Sequence, residues 1–213
     1  MKILHLAGQS SGEISYHEPI IDLYKNTVTT LNLIKYGLDN YSERLVYASS
    51  MSVYGDITLD GTGVKEDDDL RPKSCYGISK LSSENYLNVF KDKLPYISMR
   101  MFNVYGPGQD MENLRQGMVS IYLSQAINSE KIIIKGSLDR FRDFIYIDDV
   151  VDIWFKATFS RLNNCSLNVG SGKKTYIRTV LKILKKELGV GYRVGNNTLG
   201  DQHGIYADIS KLK

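Results

Sequence analysis

The chain has 213 residues, 42% hydrophobic and 24% charged, with 4 Pro against 18 Gly, a globular composition with room for one large domain or two small ones. A net charge of +3 gives no electrostatic reason to expect nucleic acid. The 2 cysteines are too few for a disulfide framework and stand at no metal-ligand spacing, so no metal is expected. No signal-peptide pattern opens the chain, and no apolar run approaches the roughly 20 residues of a membrane helix, so the protein reads as soluble and cytoplasmic, with no membrane partner. There are 15 Tyr against 6 Phe and 1 Trp; each brings a ring to bury and a hydroxyl to satisfy, which favours cavity edges.

Ile3 to Gly8 is a short apolar run stopped by glycine, the pattern of a buried strand feeding a loop. From His17 to Lys35, Ile20, Leu23, Tyr24, Val28, Leu31 and Ile34 keep helical spacing, with Pro19 in the first turn. Arg44 to Ser49 is the next buried strand, and strand–helix–strand within about fifty residues is the βαβ rhythm of a parallel sheet. A polar loop from Tyr54 to Pro72 precedes a helix over about 75–90, and Ile97 to Phe102 is a third strand ending before Gly106-Pro107-Gly108. Beyond it the pattern predicts a helix over about 116–127 and strands over 131–135 and 141–147. A helix opened by Asp148-Asp149, a strand near 167–169 and a helix over about 176–188 follow. The fold class is therefore α/β, with a doubly wound parallel sheet over 1–102 and a smaller mixed lobe over 103–213. Ligands in such sheets bind beyond the carboxyl ends of strands, which directs attention to the loops after Leu6, Ala48 and Phe102.

Tyr76 and Lys80 lie four apart on a predicted helix, and an ammonium beside a phenol favours the phenolate, a general base. Chance alone supplies about one such spacing in a chain of this composition, so context decides. The context is Ser49-Ser50-Met51-Ser52-Val53-Tyr54-Gly55, hydroxyls at a strand's carboxyl end that can hydrogen-bond a substrate hydroxyl while the phenolate takes its proton. Gly170-Ser171-Gly172-Lys173-Lys174-Thr175 suggests a phosphate loop but has Leu167 where its first glycine belongs, and reads instead as a strand-to-helix turn. His5, His17 and His203 have no metal-ligating partner in sequence.

Ser50 with Tyr76-x-x-x-Lys80, preceded by His5-Leu6-Ala7-Gly8 and followed by Arg100-Met101-Phe102-Asn103-Val104-Tyr105-Gly106-Pro107-Gly108, resembles the extended short-chain dehydrogenase/reductase family. Within it the motifs are similar to those of NAD-dependent sugar-nucleotide epimerases and dehydratases, the UDP-glucose 4-epimerase type above all. The resemblance implies a partial Rossmann-like fold, from its fourth strand onward, with a substrate lobe; it also implies NAD as cofactor, a nucleotide sugar, most simply a UDP-sugar, as substrate, and a homodimer. It implies Tyr76 as base, Lys80 as ribose-binding lysine that lowers the Tyr76 pKa, and Ser50 as proton-network partner. Ala7, Gly8, Asn26, Ser49 and Phe102 join Tyr76 and Lys80 at the cofactor, and Asn103, Met118, Arg142 and Asp201 join Ser50 and Tyr76 at the substrate. Arg142 matches a position that pairs with the diphosphate, which the planar guanidinium fork suits. Dehydratases and decarboxylases of the family carry acids after the catalytic hydroxyl, where this chain has Met51 and Ser52; epimerisation at C4 needs none.

The chain departs from the family in two places. No glycine-rich turn follows the first strand, so strands one to three of the nucleotide fold are expected to be missing, through truncation, gene splitting or choice of expressed segment. The strand at Ile3 to Ala7 then has an open edge prone to aggregation, edge pairing or a partner polypeptide, and NAD binding by the isolated chain is expected to be weak. Thr198 stands where many relatives carry an Arg before x-Gly-Asp, which puts more of the diphosphate on Arg142, helped by Arg140. The rival readings are a sugar-nucleotide reductase or dehydratase on the same scaffold, and a non-catalytic or partner-dependent remnant.

Overall fold

A computed structural model describes residues 1–57, 61–129, 131–196 and 203–213. Four parallel strands form the central sheet in the order β1 (Lys2–His5), β2 (Arg44–Ser50), β3 (Tyr96–Met101) and β8 (Cys165–Val169). Every residue of β2 is buried, and its side chains alternate between two cores as the pleat requires. Leu45 and Tyr47 face Ile34 of helix α3 (Thr29–Asp39) and Leu87 of helix α4 (Cys75–Val89). Val46 and Ala48 face Val150, Trp154 and Ala157 of helix α6 (Ile147–Phe159). Helices thus cover both faces of the sheet, the doubly wound arrangement. β8 comes from the second half of the sequence, so the sheet draws on both sides of residue 102.

β1 has β2 as its one neighbour among the described residues, with Leu4 and Leu6 exposed along it. Past it, helix α1 (Gly12–His17) is capped by Ser11, and helix α2 (Pro19–Leu23) begins at Pro19 and runs through a π-helical turn (Tyr24–Val28) into α3. The helix predicted from apolar spacing exists, but its first half is inverted. Ile20, Leu23 and Tyr24 are exposed, while Asp22, Asn26, Thr27 and Thr30 are buried. The extra residue of the π turn sits at this switch, as π turns at functional sites commonly do.

The second lobe packs helices α5 (Met118–Asn128) and α7 (Ile177–Leu188) on a parallel pair, β5 (Lys131–Lys135) and β10 (Gly191–Gly195), around Tyr122, Ile132, Ile134, Ile177 and Leu181. The strand predicted over 141–147 is two. β6 (Phe141–Arg142) pairs antiparallel with β9 (Thr175–Tyr176), and β7 (Phe144–Tyr146) pairs with β4 (Asn103–Tyr105); Asp143 between them faces inward and divides the run. β4, β9 and β10 carry too few residues, or too exposed a set, for periodicity to reveal them.

A buried polar network binds α4 to the sheet. Arg100 on β3 reaches Glu84 on α4 at 2.7 Å, and its other nitrogen donates to the Tyr54 hydroxyl at 3.0 Å and the Glu66 carbonyl at 2.8 Å. The Tyr54 hydroxyl in turn donates to Asn168 on β8 at 2.6 Å. Removing one partner of such a pair strands the other charge in the interior, at a cost of about 3–5 kcal/mol. R100M is expected to lose about that much in urea unfolding, whereas R100M with E84L recovers most of it.

Candidate active site

Helix α4 starts where the Ser74 hydroxyl accepts from the Gly77 amide at 3.1 Å, an N-cap that fixes where the helix begins. Tyr76 and Lys80 then project from one face. The Lys80 ammonium donates to the Ala48 carbonyl at 2.9 Å and lies 5.0 Å from the Tyr47 ring centroid and 5.7 Å from that of Tyr76. Ser50 ends β2. Its oxygen accepts from the Ser52 amide at 3.2 Å, capping a short 3-10 turn (Met51–Val53), and its hydroxyl donates to the Ser52 hydroxyl at 3.2 Å. The phenol, the amine and the serine are brought together at the carboxyl end of β2.

Burial holds Lys80 down to about 8, against the upward pull of the Asp22 carboxylate. Burial pushes Tyr76 up to about 12; the Ser50 hydroxyl pulls it back and Asp22 raises it further. The expectation that the neighbouring ammonium brings the phenol toward neutrality is therefore corrected for the protein alone. Phenolate and ammonium both lose hydration in this site, and desolvation is the largest influence on each. His5 on β1 is held down to about 4, by burial first and then by the Lys80 charge.

On the β1 side, Gly8, Asn26 and Lys80 converge. A Cβ added at Gly8 would lie 2.5 Å from Asn26 Oδ1 and 3.4 Å from Lys80 Nζ, so only glycine leaves this cradle open. Asn26 Oδ1 is buried and has no hydrogen-bond partner among the described residues. A buried acceptor beside a lysine donor fits the hydroxyls of a ribose, and exposed Ala7 flanks the same spot. These residues fit the nicotinamide-ribose end of NAD. For the pyrophosphate the described residues offer no glycine-rich turn: the loop after β1 holds Gly8 and Gly12 alone, and the Ser11 side chain already caps the following helix.

A cavity of about 500 Å³ opens between the sheet's carboxyl end and the second lobe. Asn103, Met118 and Arg142, read from the sequence as substrate contacts, line it, as do Met51 and Ser52, which follow Ser50, and Ser74, which precedes Cys75. Ser50, Tyr76 and Lys80 themselves are not in its wall. Arg142 is 2% exposed and donates to the carbonyls of Phe141 at 2.8 Å and His203 at 3.3 Å, which fixes its guanidinium. Arg140, Arg115, Lys73 and Lys135 add positive charge around the cavity, against Glu13 as the one acid in its described lining. Of these cations sequence reasoning named Arg140 and Arg142; the others lie far apart in the chain, with no spacing to link them.

Two sequence-based assignments are corrected. The Ser49 hydroxyl, proposed for the cofactor, donates to Glu84 at 2.5 Å on the opposite face of β2, as alternation along a strand demands. The Phe102 ring is buried in a core with Val53, Tyr54, Val64, Ile205 and Ala207, where the chain leaves β3, so its side chain is withdrawn from any ligand. Asp201, with Thr198, lies outside the described residues. The turn Gly170-Ser171-Gly172 is no phosphate loop, since the amides of Ser171 and Gly172 donate to the buried Asp143 carboxylate at 2.7 and 2.9 Å.

The sequence profile described as the NAD dependent epimerase/dehydratase family matches residues 2–170. The dTDP-4-dehydro-6-deoxyglucose reductase of Escherichia coli is 32% identical, over 98% of this chain and 66% of its own. Among solved structures, the Thermus thermophilus UDP-glucose 4-epimerase complex with NAD is 30% identical with a TM-score of 0.89, over 99% of this chain and 70% of that one. The UDP-N-acetylglucosamine 4-epimerase from Methanobrevibacter ruminantium, in complex with UDP-N-acetylmuramic acid, is 29% identical with a TM-score of 0.92, over 99% and 68%. The chain spans about two thirds of the length of these relatives. With the matched profile covering most of its length, the chain belongs to the NAD dependent epimerase/dehydratase family.

Proposed function

We propose that this chain inverts C4 of a UDP-sugar, with Tyr76 as the proton acceptor. The observation that carries the reading is the cationic cavity ending at Met51 and Ser52, next to the half-buried Tyr76 phenol, the buried Lys80 amine and the Ser50 hydroxyl. Arg142 and Arg140 hold the diphosphate, since their guanidinium forks match phosphate oxygens. Ser50 bridges the sugar 4-hydroxyl and Tyr76, which takes the proton when C4 is oxidised and returns it when C4 is reduced on the other face. Gly8, Asn26 and Lys80 hold the nicotinamide ribose. When bound, NAD supplies the hydride acceptor and a positive ring charge that favours the phenolate of Tyr76. A 4-keto sugar has room to turn over in a cavity of about 500 Å³. The neutral side chains of Met51 and Ser52 leave no carboxylate there for elimination or decarboxylation.

A reductase is the second reading, favoured by the similarity to the Escherichia coli reductase. A sugar deuterated at C4 separates the two. An epimerase returns the label at C4 of its product with no net consumption of cofactor, whereas a reductase leaves that sugar unreacted and consumes one reduced cofactor per turnover only when given the 4-keto sugar. As for assembly, Ile20 and Tyr24 of the first helical run and Ile78 and Val89 of α4 are exposed apolar side chains, at 64%, 61%, 54% and 71%, and we read them as the contact between two copies.

With NAD and a UDP-sugar supplied to the full chain, Y76F is expected to lower turnover by about 10³-fold or more while the calorimetric Kd for the UDP-sugar stays within about twofold. R142M is expected to weaken UDP binding by about 10-fold or more, the loss of a charge-assisted bidentate pair, and R142K to recover only part of it. Light scattering is expected to return twice the 24.1 kDa chain mass, and I78D with V89D to return that mass once.

A further inference from the structure

The polar face of the first helical run presents a carboxylate to the cofactor side of the site. Asp22 is fully buried, and three donors converge on it: Gln9 Nε2 at 2.7 Å and Asn26 Nδ2 at 2.9 Å on Oδ1, and the Ser79 hydroxyl at 2.7 Å on Oδ2. Resting on the cofactor assignment above, we propose that Asp22 is a positioning residue that turns the Asn26 amide toward Gly8 and, anchored by Ser79, sets a carboxylate on the Lys80 side of the cradle.

A carboxylate only accepts hydrogen bonds, so the group of Asn26 that faces Asp22 must be the NH2. The carbonyl Oδ1 is thereby turned the other way, to the spot beside Gly8 and Lys80 where it is buried without a partner among the described residues. A neutral amide at position 22 can donate as well as accept and removes that constraint. The π turn places Asn26 one turn from Asp22 on the buried side, and Ser79, the chain neighbour of Lys80, ties the same carboxylate to α4.

The electrostatics run the same way. The titratable groups facing Lys80 are His5 from β1, Tyr47 from β2 and Tyr76 from α4, all neutral near pH 7: His5 is held low, and both phenols are pushed up by burial. Glu84, one turn further along α4, is engaged by Arg100. Asp22 is the carboxylate that opposes the desolvation of Lys80. Without its charge, Lys80 is left with the Ala48 carbonyl and aromatic faces, and its titration falls below about 8, into the working range of the enzyme.

The test titrates Lys80 by NMR of lysine-labelled full chain with no dinucleotide added, K80R identifying the resonance. D22N is expected to lower the Lys80 midpoint by about 1 or more and to speed exchange of the Asn26 side-chain amide protons by about 10-fold. S79A, which keeps the carboxylate and removes one donor, leaves the midpoint at the wild-type value. If D22N does not fold, D22S serves in its place. An unmoved midpoint in the Asp22 variant, an unchanged Asn26 exchange rate, or an equal shift in S79A overturns the proposal. These readouts need no cofactor: a chain that shows them while the wild type neither binds NAD nor turns over a UDP-sugar refutes the proposed function and leaves the Asp22 role standing.

Discussion

The site is organised by the contact of one buried ammonium with the last carbonyls of a fully buried strand. Lys80 donates to Ala48 near the carboxyl end of β2, one residue past the last residue of β2 that pairs with β1. That bond fixes the rotation of α4, and the rotation places Tyr76 a turn above, Ser79 toward Asp22, and Glu84 a turn below against Arg100. A helix face that would ordinarily be apolar is polar along its length, and each member has a partner on a different element. The arrangement holds because every charge in it is either paired or hydrogen-bonded, the condition under which buried polar groups are tolerated.

The same condition governs the chemistry. Desolvation drives the phenol up and the amine down, so the protein alone holds a neutral base beside a weakened cation. On the proposed reading, positive charge arriving on the cofactor side favours the phenolate, and the carboxylate at position 22 opposes the desolvation of the lysine. The cavity, by contrast, gathers guanidiniums that backbone carbonyls anchor, an arrangement that suits an anionic ligand.

The helix before α4 shows why reading was only partly possible. Its apolar residues keep helical spacing, and spacing alone predicts that they face a core. In its first half Ile20, Leu23 and Tyr24 are exposed instead, and the buried row is Asp22, Asn26, Thr27 and Thr30, while Ile34 further along does reach the core. Asp22, Asn26 and Thr30 do recur at helical intervals, which is the signal that could have singled out Asp22, but a polar stripe is ordinarily the solvated one. Ser49 and Ser50 illustrate a similar limit. Adjacent in sequence and alike in chemistry, they point to opposite faces of β2, one into the Glu84–Arg100 network and the other into the site.

From sequence alone came the α/β class, the order of the principal strands and helices, and the expectation that Ser50, Tyr76 and Lys80 meet, because these depend on local periodicity and on short motifs whose spacing is itself the geometry. Tertiary structure decided which face of each element is inside, which cations meet around the cavity, and that β8 completes the sheet. It also decided that burial, rather than the neighbouring ammonium, sets the proton affinity of Tyr76. Those outcomes depend on desolvation and on contacts between residues far apart in the chain, and neither is encoded in any single stretch of it.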